Sequence, residues 1–465
     1  SPPKSIQSIR RSIFKITVTK QKTDYRRPWK KGRIYRSHGT GFYIGNNIIM
    51  TNAHVVTNAR FITLQRDGDA TTYEARILSI GHDCDLAILQ VKKPHNFSKI
   101  TPLLIGKVPK IRSVVHTIGY PTGGDQISNT KGVVSRISYR KYVHSGRKSH
   151  LLVQVDSAIN SGNSGGPVLQ NTNVVGVAFQ ANKSAENTGY IIPTPVIKRF
   201  LQDSSTGKYD GHQEIGISIQ RWSMINEATY SFHGLTKPSG VKVSHVYSWS
   251  PAFEVILPGD VLTAIDGYNI GVDGKIDIFS ERLDYETVYD LKQLNEHVKI
   301  DYIRNSRYYS KKIPVNSLKN KMKGYEYSQK VDYLILGGLV FTPLSDDFLS
   351  VWGRRWGTNA PVLLRYLYYY KDFDFWGRRI KEFVVLADRL PHKENSYHTS
   401  KNFAVIRAIN EQEVFSFADF VSKFRRISTG KFIHISFWDN VEPVYLPRSK
   451  LKKIQEEDFM MTKTY

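Results

Sequence analysis

The run Gly162-Asn163-Ser164-Gly165-Gly166-Pro167 constrains this 465-residue chain more than any other segment. Glycine permits backbone turns that side chains forbid. Gly162 and Asn163 can turn the chain sharply before the serine, and Gly165 and Gly166 keep bulk away after it. Such a loop can aim the main-chain N–H groups of Gly162 and Ser164 at one point. Two converging donors stabilise the charge that develops when a serine attacks a carbonyl. The plainer alternative is a tight turn without chemistry.

The chemical reading makes a demand elsewhere. A serine hydroxyl needs a base, and the base needs a carboxylate to hold its tautomer. The chain has 14 histidines, and His54 has the fitting setting. Asn46-Asn47-Ile48-Ile49-Met50 reads as a short apolar strand, followed by Thr51-Asn52-Ala53-His54-Val55-Val56. Its small and apolar neighbours bury one side of the ring at a strand end. In Gly81-His82-Asp83-Cys84-Asp85, an acid immediately precedes the apolar strand Leu86-Ala87-Ile88-Leu89. The order His54, Asp85, Ser164 is that of the chymotrypsin-like double barrel, and not of subtilisin or the α/β-hydrolases. The bland alternatives are a core histidine at 54 and turn-capping acids at 83 and 85.

Short apolar strands separated by Gly, Asn and Lys recur from residue 12 to residue 192, which reads as a barrel or sandwich. Pro193 to Leu201 reads as a short helix, with proline well placed at its start. The polar run Asp203 to Lys208 reads as a linker.

The segments Gly39-Thr40-Gly41-Phe42, Thr51 to Val56, Asp85-Leu86-Ala87 and Gly162 to Pro167 together resemble the HtrA/Deg family of serine proteases. The resemblance implies a mainly β, multidomain chain: a chymotrypsin-like double β-barrel followed by two PDZ-like domains. It implies His54 as general base, Asp85 as its orienting partner and Ser164 as nucleophile, with the backbone of Gly162, Asn163 and Ser164 as oxyanion donors. By the same matching, Ile159 forms the base of the substrate pocket and Phe179, Gln180 and Ala181 its wall. An apolar base predicts cleavage after small to medium aliphatic residues, with loose selectivity. Activation in this family involves loops that match residues near 155–163 and 182–187.

The protease domain is expected over residues 1–207. In the next region, Glu214-Ile215-Gly216-Ile217 resembles the loop where PDZ domains receive a peptide carboxylate. Pro258-Gly259-Asp260 to Gly267 matches the PDZ turn-strand-turn pattern, and Tyr285 to His297 is expected as the helix walling the groove. This first PDZ domain is placed at 210–318. A degenerate second one is expected over 325–455, like that of the plant-type Deg proteases and their bacterial relatives. There Tyr333 to Phe341 replays the carboxylate loop and its strand, 383–387, 403–406 and 432–437 read as strands, 416–424 as a helix, and 361–370 as a helical insertion. Residues 456–465 are expected as a C-terminal tail.

The net charge of +25 and a basic pI invite a nucleic-acid partner. The basic residues Lys20, Lys22, Arg26, Arg27, Lys30, Lys31, Arg33 and Arg36, interleaved with Tyr25, Trp29 and Tyr35, face only Asp24 there. No nucleic-acid motif accompanies them, so a solvated loop used in assembly is the expectation. The single cysteine, Cys84, excludes an intrachain disulfide and a cysteine-rich zinc site. No apolar run is long enough for a transmembrane helix. Ser1-Pro2-Pro3-Lys4 implies a removed leader or a start inside a longer chain.

The resemblance implies no metal or organic cofactor. It implies unfolded protein or peptide substrates, a role in protein quality control, and a trimer-based homo-oligomer (trimer or hexamer). A bacterial periplasm or envelope is the favoured location, with an organelle or intracellular site as the alternative. A chaperone or scaffold with a latent site is the functional alternative.

Overall fold

The structure is a computed structural model. It describes residues 6–464 except 96, 122–123, 125, 158, 161, 182–187, 249, 317–323, 375–379, 397–402 and 439–440. It forms two compact units, residues 1–20 with 35–319, and residues 21–34 with 320–465.

In the first unit, six strands close a barrel in the order Ile13–Thr23, Lys31–Gly45, Ile48–Thr51, Leu86–Val91, Thr72–Gly81, Ala59–Arg66. Alternation along the first strand points Phe14, Ile16 and Val18 inward. Phe14 stacks on Phe97 with ring centres 5.5 Å apart, and Tyr43 meets the same ring edge-on at 5.4 Å. A second ring runs Pro167–Gln170, Val114–Gly119, Ser128–Lys141, Ser149–Val155, Gly189–Pro193, Asn173–Ala181. It closes where the first and last of these pair. The fold is therefore the chymotrypsin-like double barrel.

Helix Thr194–Ser204, with proline in its first turn, buries Val196, Ile197 and Phe200 and leads to a third sheet. That sheet runs Ile217–Gln220, Val241–Val246, Val261–Ile265, His297–Arg304, Arg307–Pro314. Its core is continuous with that of the second barrel. The helix expected from Tyr285 to His297 is shorter. A 3-10 helix spans Tyr285–Leu291, Asn295 turns the chain at φ +65, and His297 opens a strand. Asp290 on this helix is fully buried and takes the Leu151 N–H at 2.7 Å, so the helix packs on the second barrel.

The expected solvated loop over 20–36 is also corrected. Strands Ile13–Thr23 and Lys31–Gly45 run into it from both sides, leaving a short tip. Within the second unit, Arg26 and Arg27 clamp the Asp388 carboxylate at 3.0 and 2.6 Å, and Trp29 packs on Tyr333. Asp388 is only 6% exposed, and a carboxylate so far out of water needs cations.

The second unit holds a three-stranded sheet, Leu334–Leu336, Leu339–Pro343, Val384–Arg389. A four-stranded one runs Gln412–Glu413, Ile406–Ile409, Phe432–Phe437, Val444–Pro447. Helix Phe417–Arg426 starts at Ser416, whose hydroxyl accepts from the Asp419 N–H, and buries Phe417, Phe420 and Phe424. The apolar insertion forms helix Val362–Asp374. Residues 456–465 are not a loose tail. Helix Leu451–Thr464 takes in all of them but Tyr465, which lies outside the described residues, and it buries Ile454 and Asp458.

Candidate active site

Strand pairing brings the first two expected residues together. Ile48–Thr51 runs antiparallel to Leu86–Val91 with Thr51 opposite Ala87. Asp85 lies just before one strand and His54 just after the other, in the short helix Ala53–Val56. Asp85 adopts a left-handed backbone, φ +53, and its side chain is buried. One carboxylate oxygen meets His54 Nδ1 at 2.7 Å, and the other accepts the His54 backbone N–H at 2.9 Å. Asn52 donates its side-chain amide to the Asp85 carbonyl. Burial opposes ionisation of Asp85, yet the His54 ring and its hydrogen bonds hold the carboxyl below its usual value. This pairing fixes a proton on Nδ1 and leaves Nε2 to act as a base.

The Ser164 loop is anchored across the two barrels by Thr40. The Thr40 hydroxyl donates to the Gly162 carbonyl at 2.7 Å, and the Thr40 N–H donates to the Ser164 carbonyl at 2.9 Å. Thr51 Oγ1 in turn donates to the Thr40 carbonyl. Gly165 sits at φ +87 against Thr40, Thr51 and the Asn52 N–H, where no side chain fits. These contacts hold the serine loop beside the strand end that carries His54. Among the described residues, no hydrogen bond joins Ser164 Oγ to His54.

Two of the three expected oxyanion donors, Gly162 and Asn163, are engaged. The side-chain oxygen of Asn160 accepts from Gly162 N at 3.0 Å and from Asn163 N at 3.1 Å. An oxyanion facing this loop loses those two donors while Asn160 holds them. The Asn-x-Gly spacing was readable as a local turn signal, because asparagine side chains bond backbone two residues on.

Two further histidines stand near the dyad. His82 Nδ1 and His144 Nε2 are 2.9 Å apart, and the His144 ring centre is 6.1 Å from that of His54. Burial pushes His82 down to about 4 and His144 down to about 3, so both are neutral near pH 7. Nothing in the local sequence around His144 pointed here. Cys84 is buried beside Tyr209, and burial pushes its thiol well up. It is a packing group, not a nucleophile.

The other expected residues fall as follows. Ile159 is buried against Gly189, and Phe179 is buried with its ring 4.8 Å from that of Tyr142. Gln180 and Ala181 lie in strand Asn173–Ala181, but their side chains and the loop 182–187 fall outside the described residues. Glu214 pairs with Lys148 at 3.1 Å and bridges Asn316 through its backbone. Ile215 is buried, Gly216 has φ +78, and Ile217 opens the edge strand of the third sheet.

Among the described residues one trio, His150, His212 and Asp290, brings a ligand atom each within 4.8 Å of the others. Asp290 already bonds His150 Nδ1 at 2.7 Å and the Leu151 N–H, so hydrogen bonding accounts for its carboxylate.

A fold of this kind, with a histidine gripped by a buried aspartate and a glycine-flanked serine, defines a trypsin-like peptidase domain. That domain family matches residues 39–177, and the PDZ domain family matches residues 322–461. Protease Do-like 4, mitochondrial, of Arabidopsis thaliana is 36% identical over 343 residues, 73% of this chain and 65% of that protein. Putative protease Do-like 13 of the same plant is 34% identical over 340 residues, 73% of this chain and 69% of that protein. Among solved structures, the HtrA-type protease AlgW with tripeptide shares the fold. Its TM-score is 0.51 at 21% identity, over 67% of this chain and 95% of that one. The chain belongs to the HtrA/Deg family of Do-like proteases. It spans 65%, 61% and 56% of the length of the Do-like proteases 4, 3 and 2 of Arabidopsis thaliana.

Proposed function

We propose that the chain is a serine endopeptidase that hydrolyses unfolded or misfolded proteins. His54 takes the Ser164 proton as the hydroxyl attacks a peptide carbonyl, and Asp85 steadies the imidazolium. The tetrahedral oxyanion is received by the backbone of the 162–164 loop. His54 then returns the proton to the leaving amine, and water hydrolyses the acyl-enzyme by the same route. The observation that carries this reading is the double grip of Asp85 on His54, on ring and backbone at once. Ile159 and Phe179 suit a small aliphatic side chain before the scissile bond.

The Asn160 contacts favour a second reading alongside it, a protease latent at rest that holds unfolded chains until its loop rearranges. Substrate quality control, a trimer-based assembly and PDZ character for residues 210–318 follow from family membership as proposals. For location, the mitochondrial name of a relative favours an organelle over the bacterial envelope. No helix among the described residues is long and apolar enough to cross a membrane.

Casein turnover by the full chain and by Ser164→Ala tests the reading. Cleavage by the parent alone is expected. Undiminished cleavage by the variant removes Ser164 as nucleophile. Suppressed aggregation by both, with cleavage by neither, selects the latent holdase.

A further inference from the structure

A cavity of about 490 Å³ lies in the first unit where separate pieces of chain meet. Lys107 and Val108 come from the loop after the short strand Leu104–Ile105. That strand pairs with Asn173–Ala181, and the Gly106 N–H donates to the Val174 carbonyl at 2.8 Å, so the loop is anchored to the second barrel. Pro195, Lys198 and Arg199 come from helix Thr194–Ser204. Phe279 and Leu291 come from the segments that follow strand Val261–Ile265 of the third sheet. The volume is that of a pocket for a small organic ligand.

One wall is apolar and strained. Strands Lys275–Ile278 and Glu281–Asp284 form a hairpin, and Ile278 pairs with Glu281, so Phe279 and Ser280 make the turn. Both turn residues have left-handed backbones, φ +55 and +61. Asn and Gly suit such turns, and a bulky aromatic residue there is strained. Backbone strain of this kind concentrates where a side chain has a use. Phe279 lines the cavity with Val108, Pro195 and Leu291, and Leu291 is still 41% exposed.

The charge in the lining is cationic. Lys107 and Lys198 are exposed, and among the described residues neither pairs with a carboxylate. The acid in the same lining, Asp290, is fully buried, with one oxygen on His150 Nδ1 and the other on the Leu151 N–H. Arg199 is 5% exposed, and its guanidinium donates to the carbonyls of Lys292 and Gly211. Its Nε and one terminal nitrogen are thereby committed, and Pro195 removes an N–H from the helix start. Phosphate recognition favours an open arginine fork or a nest of backbone N–H groups. Two ammonium groups beside an apolar wall suit one carboxylate carrying an apolar tail.

We propose that this cavity binds a small amphipathic monocarboxylate of the fatty-acid type. Its carboxylate meets Lys107 and Lys198, and its tail lies against Phe279 and Leu291. The inference stands apart from the catalytic reading, because it uses no residue of the candidate active site. A ligand held by the barrel loop, the helix and the hairpin together stabilises the first unit.

The probe is radiolabelled decanoate, kept below its micelle concentration, with 1-decanol as the uncharged control. Equilibrium dialysis is run with the full chain and with two variants. Lys107→Gln combined with Lys198→Gln removes both charges at exposed positions. Phe279→Gly removes the aromatic wall and suits the left-handed turn. The parent is expected to bind decanoate saturably, one to one, and each variant at least about tenfold more weakly. Decanol should bind the parent at least about tenfold more weakly than decanoate does, and should not respond to the lysine changes. Absence of saturable binding by the parent overturns the proposal, as does either variant binding as tightly as the parent. Should neither variant fold, thermal unfolding of the parent decides. Saturating decanoate must then raise Tm by at least about 3 °C more than decanol does; equal shifts, or none, overturn the proposal.

Discussion

Two glycine turns, one in each unit, meet the same problem in different ways. At Gly162-Asn163 and at Gly337-Gly338, two consecutive N–H groups converge on one side chain of the same chain. At the Ser164 loop the acceptor is a neutral amide, Asn160, two and three residues away. At the second turn it is a charged carboxylate, Asp458, on a helix more than a hundred residues further on. A local neutral cap is undone by a small backbone rearrangement. A remote buried carboxylate is undone only by moving the element that carries it. The same remote device recurs in the first unit, where Asp85 takes the His54 N–H and Asp290 takes the Leu151 N–H. Carboxylates far apart in sequence join elements in this molecule, and the short-range amide leaves one loop adjustable.

The contrast is breakable by substitution. The largest effect is expected at Asp85, whose carboxylate grips the His54 ring and backbone. Asp85→Asn should lower kcat/KM for a peptide substrate by about 10³ to 10⁴, with the fold unchanged. A loss under tenfold would make Asp85 a structural joint only. Next comes Asp290. Asp290→Ala strands a buried N–H and a buried histidine, which should cost about 3 kcal/mol of first-unit stability in urea unfolding. An unchanged midpoint would show that remote carboxylates are not what joins these elements.

The His82–His144 pair gives a pH signature. Both are held neutral in the fold down to about 4 and about 3. An unfolded histidine takes up its proton near pH 6.5. Between those values the unfolded chain binds protons that the folded chain refuses, so stability falls as pH drops from about 6.5 to about 4. Discounted for partial exposure, the loss is on the order of 1 to 2 kcal/mol across that window. His144→Asn should reduce it markedly in urea titrations at pH 7 and pH 5, leaving the share of His82. A slope unchanged by the substitution assigns the effect elsewhere. The smallest effect is at the adjustable cap. Asn160→Ala removes about 1 kcal/mol of capping. It should raise basal peptide turnover about fivefold by freeing the Gly162 and Asn163 N–H groups. A fall in turnover would mean that Asn160 supports the competent loop instead.

The double barrel was legible because each of its cues is local. Strand alternation, glycine punctuation, and the order of His54, Asp85 and Ser164 all survive in a linear reading. So does the Ser416 cap with its Phe417, Phe420 and Phe424 face. What escaped were contacts made by single polar side chains across long separations. Asp290 and Asp458 look like ordinary helix-surface acids until packing buries them. Residues 456–465 read as a tail for the same reason, since only Ile454 and Asp458 of that helix are buried. Arg26 and Arg27 read as solvated because their partner, Asp388, lies 362 and 361 residues away. Asn160 is the exception, since its Asn-x-Gly turn signal is local, while the two donors it occupies show only in the folded loop.

The central claim is that the hydroxyl of Ser164 is the reactive group of this chain. A fluorophosphonate probe, applied to the full chain under conditions where it cleaves casein and followed by peptide mass mapping, addresses it directly. One adduct, on the peptide carrying Ser164, is the predicted result. Casein cleavage with Ser164 unlabelled, or with the adduct on another residue, would contradict it.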